Sequence, residues 1–209
     1  MPSNAIILPQ QQRSQETQRR LLDALHHCLQ TKFFEHISIK ELAEHADVSV
    51  GTFYRRFKNK ESLLPLLYQD FGNDLLQWTQ SLEETSYTSL DHAIEDITLE
   101  TFRFLSSRKS IFRTLHLNAR LHTELVDSDK IVDRKVVYKR LAAIFLRFEQ
   151  QMHAQHREET AGVMVYTLVT TLLDKVLYPN VTPAIASDLD AKAFTAELTR
   201  MLKAYTGSR

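Results

Sequence analysis

Glycine and proline are scarce: the 209 residues include four of the first and five of the second. An all-β chain needs turn residues every few positions, and phosphate loops and nucleophile elbows need glycines at fixed offsets, so both are disfavoured. Cysteine occurs once, as Cys28. That excludes an internal disulfide and any metal cage built from several thiolates, and it fits a reducing cytoplasm. No HExxH motif is present, and the nine histidines are scattered. The closest pairs, His153 with His156, His116 with His122, and His26 with His27 beside Cys28, read as surface or capping residues. No catalytic residue, cofactor or metal site is therefore expected. Long apolar runs are also missing. The "AIIL" near the N-terminus is too short for a signal segment, and its Gln-rich continuation reads as a flexible lead into a helix. The most apolar window, "TAGVMVYTLVTTLLDKVLY", contains Asp174 and Lys175 and reads as a buried helix, with no membrane partner.

What is present is a mixed composition, with 43% hydrophobic and 25% charged residues, and a net charge of zero. The balance hides an asymmetry. Residues 1–60 carry nine Lys and Arg against six Asp and Glu, and the remainder carries seventeen against twenty. The basic excess in front points to an anionic partner for that part.

Apolar residues recur at helical spacing nearly throughout, with no strand alternation and no internal repeat, so an all-α fold is expected. Leu21, Leu22, Leu25, Cys28 and Leu29 line one face of a first helix over about Gln15–Phe34. The "SIKE" that follows is a capping box, Ser38 with Glu41, opening a second helix over Ile39–Ala46. "ADVS" makes a turn in which Asp47 tolerates positive φ and Ser49 caps a third helix, "VGTFYRRF". Phe53 and Phe57 fall on its inner face. Asn59 caps a fourth helix over Lys60–Leu82, and Thr88 with Asp91 opens a fifth that reaches Leu105. A sixth helix over Arg108–Leu117, a seventh over Ser128–Met152 and an eighth over Glu158–Tyr178 come next. Ser187 and Asp190 then cap a ninth that reaches Tyr205.

Two short helices across a tight turn, with aromatic side chains inside and cations outside, form the arrangement that lays a second helix in the DNA major groove. Gly51 costs a helix interior roughly 1 kcal/mol relative to alanine, which is understandable where a partner approaches the backbone. The Tyr54 ring can pack while its hydroxyl reaches a phosphate. Lys60 sits at a helix start, where an anion is already favoured.

The stretch "SIKELAEHADVSVGTFYRRFKNKESLL", Ser38–Leu64, resembles the DNA-binding signature of the TetR family of bacterial transcriptional regulators. The resemblance covers residues 15–64 at motif level and the rest by helix order. It implies an N-terminal three-helix DNA-binding domain, residues 1–58, followed by about six helices, residues 59–209, for effector binding and dimerisation. The implied DNA-contacting set is Ser38, Ser49, Val50, Gly51, Thr52, Tyr54, Arg55, Arg56 and Lys60. Ser38, Tyr54 and Lys60 would hold phosphates, and Arg55 and Arg56 stand as equal candidates for a base contact. Two residues depart from the family pattern. Phe33 and Asp47 both stand where glycine is frequent, and Phe33 implies a different turn after the first helix.

Helices four to eight carry abundant aromatics, and by family analogy an apolar or aromatic small-molecule effector is expected among Phe71, Trp78, Phe102, Phe112, Tyr138, Phe145 and Tyr166. The eighth helix is apolar on more than one face. A homodimer interface is expected from Val165, Val169, Leu172, Leu173 and Val176 with Phe194, Leu198 and Met201 of the ninth, and Gly162, Thr167 and Thr170 would permit close helix approach. The expected activity is that of a cytoplasmic repressor, dimeric on a palindromic double-stranded operator and released by its effector. The alternative is a helical ligand-binding or adaptor protein without sequence-specific DNA binding, which would ignore DNA at physiological salt.

Overall fold

The computed structural model describes residues 10–121 and 132–207. Among these residues every regular element is helical. The α-helices are α1 (Gln10–Leu29), α2 (Ile39–His45), α3 (Val50–Tyr54), α4 (Leu64–Glu84), α5 (Leu90–Ser107), α6 (Lys109–Leu121), α7 (Arg134–Leu146), α8 (Arg157–Leu177) and α9 (Ala191–Thr206). Residues 1–9, His122 and the expected start of the seventh helix at Ser128 lie outside the described residues. The Gln-rich continuation expected as a flexible lead is helical instead, α1 starting at Gln10 and not at about Gln15.

Several boundaries differ from the sequence expectation, for local reasons. The first helix stops at Leu29, not Phe34, because the Gln30 and Thr31 amides bond back three residues, to His27 and Cys28 carbonyls. Phe33 then takes an ordinary extended conformation (φ −76°, ψ 151°), which a bulky side chain adopts without strain, and Phe34 is the ring that turns into the core. Similarly, α3 ends at Tyr54 because the Arg56 amide bonds to the Phe53 carbonyl three residues back. Lys60–Leu63 forms a 3-10 turn before α4, capped by Asn59, whose Oδ1 accepts from the Ser62 amide at 3.1 Å. The cap of α5 is Ser89, accepting from the His92 amide at 3.1 Å, whereas Thr88 bonds the His92 ring. α7 is shorter than expected. Asp133 caps it, and the Arg147 amide reverts to a three-residue bond with Ile144 at its end.

Packing groups residues 10–70 with 114–121 in one unit, and residues 71–113 with 132–207 in another. The first unit has its core in Leu21, Leu25 and Leu29 of α1, Phe34 and Ile37 after it, Leu42 and Ala43 of α2, and Phe53 of α3. The second packs α5, α7, α8 and α9 together. Ile94, Ile97, Leu141, Ile144, Phe145, Met164, Leu168, Leu172 and Leu198 form one apolar cluster there. α8 is the one helix among the described residues long and apolar enough to cross a membrane, and half of its apolar window is buried in this cluster.

An ion pair ties α4 to α7 in the second unit. The Arg140 guanidinium donates to both carboxylate oxygens of Glu83, at 2.8 and 2.5 Å, and that hydrogen bonding holds the Glu83 carboxyl below its usual range. A depressed carboxylate pKa contributes stability that is complete above about pH 4.5 and disappears as the pH falls through the folded value. Glu83→Gln is thus expected to lower the melting temperature near neutrality and to flatten its decline towards about pH 3. Melting curves across that range check it. An acid decline as steep as the wild type's would remove the pair from this role.

Candidate nucleic-acid interface

Each short helix of the first unit is set by a side-chain cap. The Ser38 Oγ accepts from the Glu41 amide at 3.1 Å and starts α2, and the Ser49 Oγ accepts from the Thr52 amide at 3.0 Å and starts α3. Between them the chain reverses at Asp47, whose φ of 51° is the left-handed conformation that aspartate tolerates better than most residues. The turn is tied down from both sides. The Val48 amide donates to the Ala43 carbonyl at 2.9 Å, and Arg20 of α1 donates to the Asp47 carbonyl at 3.3 Å. Below, the Glu41 carboxylate accepts from Lys32 at 2.7 Å, a bond that holds Glu41 below and Lys32 above their ordinary pKa values.

α3 is held by its inner face and offers its outer one. Phe53 is fully buried, with the Phe57 ring 5.5 Å away, and Tyr54 stands edge-on to Phe53 at 5.7 Å while remaining 57% exposed. Ser49, Val50, Gly51 and Arg55 are exposed beside it, and Ser38 is exposed at the start of α2. Among the described residues nothing demands glycine at position 51: an added side-chain carbon would meet nothing nearer than Ser49 Oγ at 3.7 Å. Its lack of a side chain therefore matters only to something outside.

The cations divide into two kinds. Arg55 is exposed, and its Nη2 donates to Thr52 Oγ1 at 2.8 Å, which in turn lies 2.9 Å from Ser49 Oγ. This chain of hydroxyls fixes the guanidinium on the outer face. Arg56 is half-buried instead, and donates to Ser14 Oγ of α1 at 2.6 Å. Lys60 is likewise engaged within the fold. Its ammonium donates to the carbonyls of Phe34 (2.9 Å), Glu35 (2.8 Å) and Ile37 (3.1 Å) and lies over the Phe34 ring. All three ammonium donors have partners, so Lys60 clamps the turn after α1 and offers an outside phosphate its charge alone.

The aromatic residues expected around an effector fall into separate groups in the second unit. Phe71, Trp78 and Phe112 gather about Phe104, with Trp78 stacked on Phe104 at 4.7 Å and Phe71 edge-on to Phe112 at 4.6 Å. Phe104, one of the abundant aromatics of helices four to eight, joins the expected set at its centre. The Trp78 Nε1 is buried there without a hydrogen-bond partner among the described residues. Phe102 lines a different, more polar cavity of about 570 Å³ with Lys109, Asp188 and Asp190. Tyr138 and Tyr166 line a groove of about 770 Å³ between α7 and α8, and Phe145 is fully buried in the main cluster.

The expected dimer residues also separate. Val165, Leu172, Val176 and Leu198 are buried side chains packed in the main cluster of their own subunit. Val169, Leu173 and Phe194 are partly buried at the edge of that cluster, and Met201 is 50% exposed. The one aromatic residue of α8, Tyr166, is 70% exposed. Tyr166 and Thr170 share a small cavity with Phe194, so these faces of α8 and α9 adjoin. Gly162 has open space around it.

Comparisons with known proteins bear on the N-terminal motif and on the fold. The family model of bacterial regulatory proteins of the tetR family matches residues 21–72. Among curated sequences, the chain is 34% identical over 76 residues to the uncharacterized HTH-type transcriptional regulator YvkB of Bacillus subtilis, a match spanning 36% of this chain and 40% of that protein. Among solved structures, it resembles GusR of Salmonella enterica (TM-score 0.62, 19% identity, 91% of this chain and 95% of that one). It also resembles the TetR-family transcriptional regulator PfmR of Thermus thermophilus (TM-score 0.62, 16% identity, 88% and 96%). At these identities the structural likeness speaks for the fold.

Proposed function

We propose that this chain, which belongs to the TetR family of bacterial regulatory proteins, is a cytoplasmic transcriptional repressor that binds a palindromic operator as a homodimer and releases it on binding a small apolar or aromatic molecule. As a member of a family of regulators it is not an enzyme. The observation that carries the reading is the outer face of α3. Val50, Gly51, Tyr54 and Arg55 stand exposed on a five-residue helix whose inner face and both flanks are bonded to the rest of its unit. Val50 suits a thymine methyl, Arg55 a guanine edge, and Ser38, Ser49 and Tyr54 the phosphates on either side. Thr52 acts through Arg55, as the hydroxyl that orients it, and Arg56 and Lys60 act by fixing the helix.

Two such helices must reach successive major grooves about 34 Å apart. α4 passes from one unit into the other, the division falling between Asp70 and Phe71. An effector bound against Phe71, Trp78, Phe104 and Phe112, with the partnerless Trp78 N–H as its hydrogen-bond donor, therefore acts on the helix that leads to the DNA-binding unit. Release follows if the effector prefers the arrangement that spoils the groove spacing.

Selection from random duplexes, followed by gel shifts at increasing salt, tests the core of this reading. The expected result is one enriched palindrome, bound at least about a thousandfold more tightly than unrelated duplex and weakened steeply by salt. Binding without sequence preference, or none at all, would overturn it.

A further inference from the structure

The DNA-binding unit contains a group of side chains that contact with DNA does not use. Cys28 is buried on α1, Glu41 and His45 lie four apart on one face of α2, and the Cys28 sulfur, a Glu41 carboxylate oxygen and a His45 ring nitrogen all fall within 4.8 Å of one another. We propose that these three residues form a binding site for a divalent metal ion of the zinc class, which fastens α1 to α2. The two helices come together only in the fold, which is why pairing of neighbouring histidines along the sequence does not reveal the site.

The donor set selects the ion. Thiolate, imidazole and carboxylate together suit a borderline-soft ion such as zinc, whereas magnesium and calcium take oxygen ligands. With bonds of about 2.0–2.3 Å, tetrahedral ligand atoms stand roughly 3.3–3.8 Å apart. The present spread closes to that by rotation of Glu41 and His45, one half-buried and the other exposed, towards a sulfur fixed on α1. Of the three ligands, His45 faces an open cavity. His45 and His27, whose rings lie 4.8 Å apart, line an open cavity of about 440 Å³ with Arg20, Asp23 and Asp47. On binding, Cys28 gives its thiol proton to solvent, Glu41 exchanges the Lys32 ammonium for the ion, and water completes the fourth position. The two anionic ligands then balance the charge of the ion.

The consequence is mechanical. The site lies immediately before the turn Ala46–Ser49 that launches α3, so the ion ties together the two helices on which the presentation of α3 rests. It needs no statement about DNA, and its test is independent of operator binding.

Cobalt titration of the reduced, chelator-treated full chain is the direct experiment. Because Cys28 is the only cysteine, a thiolate-to-cobalt charge-transfer band reports on it alone. The expected result is such a band saturating at one ion per chain and abolished by zinc. It should be absent in Cys28→Ser, while both ions bind at least about tenfold more weakly in His45→Gln and Glu41→Gln and unchanged in His153→Gln. Zinc should also raise the melting temperature of the wild type, and raise that of His45→Gln by less at the same concentration. His45 is exposed, so that variant decides the matter even if Cys28→Ser does not fold. A folded wild type without the band, or zinc affinity unaltered by His45→Gln and Glu41→Gln, overturns the proposal.

Discussion

Arg55→Ala is expected to weaken operator binding at least about tenfold and to erase the preference at one base-pair position in each half-site, whereas Arg56→Ala leaves the preferred sequence unchanged. A well-formed arginine–guanine contact discriminates by about 1–3 kcal/mol, and a symmetric dimer makes it twice. Both arginines occupy the same stretch of sequence, but their surroundings differ. Arg55 is exposed and held on the outer face by Thr52 and Ser49, so little side-chain freedom is left to lose on binding. Arg56 joins the end of α3 to Ser14 of α1. Its removal loosens the helix, and so lowers affinity for all sequences alike together with the melting temperature. Affinities of both variants for a panel of single-base operator substitutions distinguish the two. If Arg56→Ala changes the preferred base and Arg55→Ala does not, the assignment is reversed.

How far such roles can be read in advance depends on the distance over which each is decided. The caps at Ser38, Ser49 and Asn59 were legible because a side-chain oxygen meets an amide three residues on, within the span of a motif. Asp47 was legible for a similar reason, since its conformation is a property of one residue. Lys60 was not. Its position at a helix start pointed to phosphate, yet its ammonium goes to carbonyls 23 to 26 residues away, exposed by the 3-10 turn that follows α1. The partner of Arg56 is farther still, 42 residues away. In the second unit the helical pattern identified the elements, but a helix apolar on several faces does not say which face the subunit keeps for itself. Leu172 and Leu173 are adjacent in sequence, and only the packing of α5, α7 and α9 around α8 makes the first interior and leaves the second at the edge. The same applies to Trp78, whose stacking partner Phe104 comes from a different helix.

That distinction governs the second large effect. Tyr166→Asp is expected to yield a folded monomer, and Leu172→Glu to yield an unfolded chain. Tyr166 is the most exposed large apolar residue among those described, and it adjoins Thr170 and Phe194. We propose an interface that takes Tyr166 out of the expected effector set and joins it to the partly buried Leu173 and Phe194 and the exposed Met201 and Tyr205, an isologous surface in which every residue counts twice. An anchoring aromatic at the centre of an interface contributes about 2 kcal/mol. Losing two weakens the dimer by ~4 kcal/mol, roughly a thousandfold, before the repulsion of two new carboxylates is added. Leu172, by contrast, has no exposed surface. A glutamate there removes core packing and buries an unpaired charge, a change that exceeds about 4 kcal/mol and is comparable with the stability of a whole domain. Sedimentation velocity and thermal melts of both variants separate the outcomes. A Tyr166→Asp protein that remains dimeric removes this face from the interface, and a folded Leu172→Glu monomer restores Leu172 to it. The consequence for DNA is direct. A monomer presents one α3 to one half-site, so Tyr166→Asp should lose the affinity gained by joining two half-sites while an isolated half-site is still read with the same base preference.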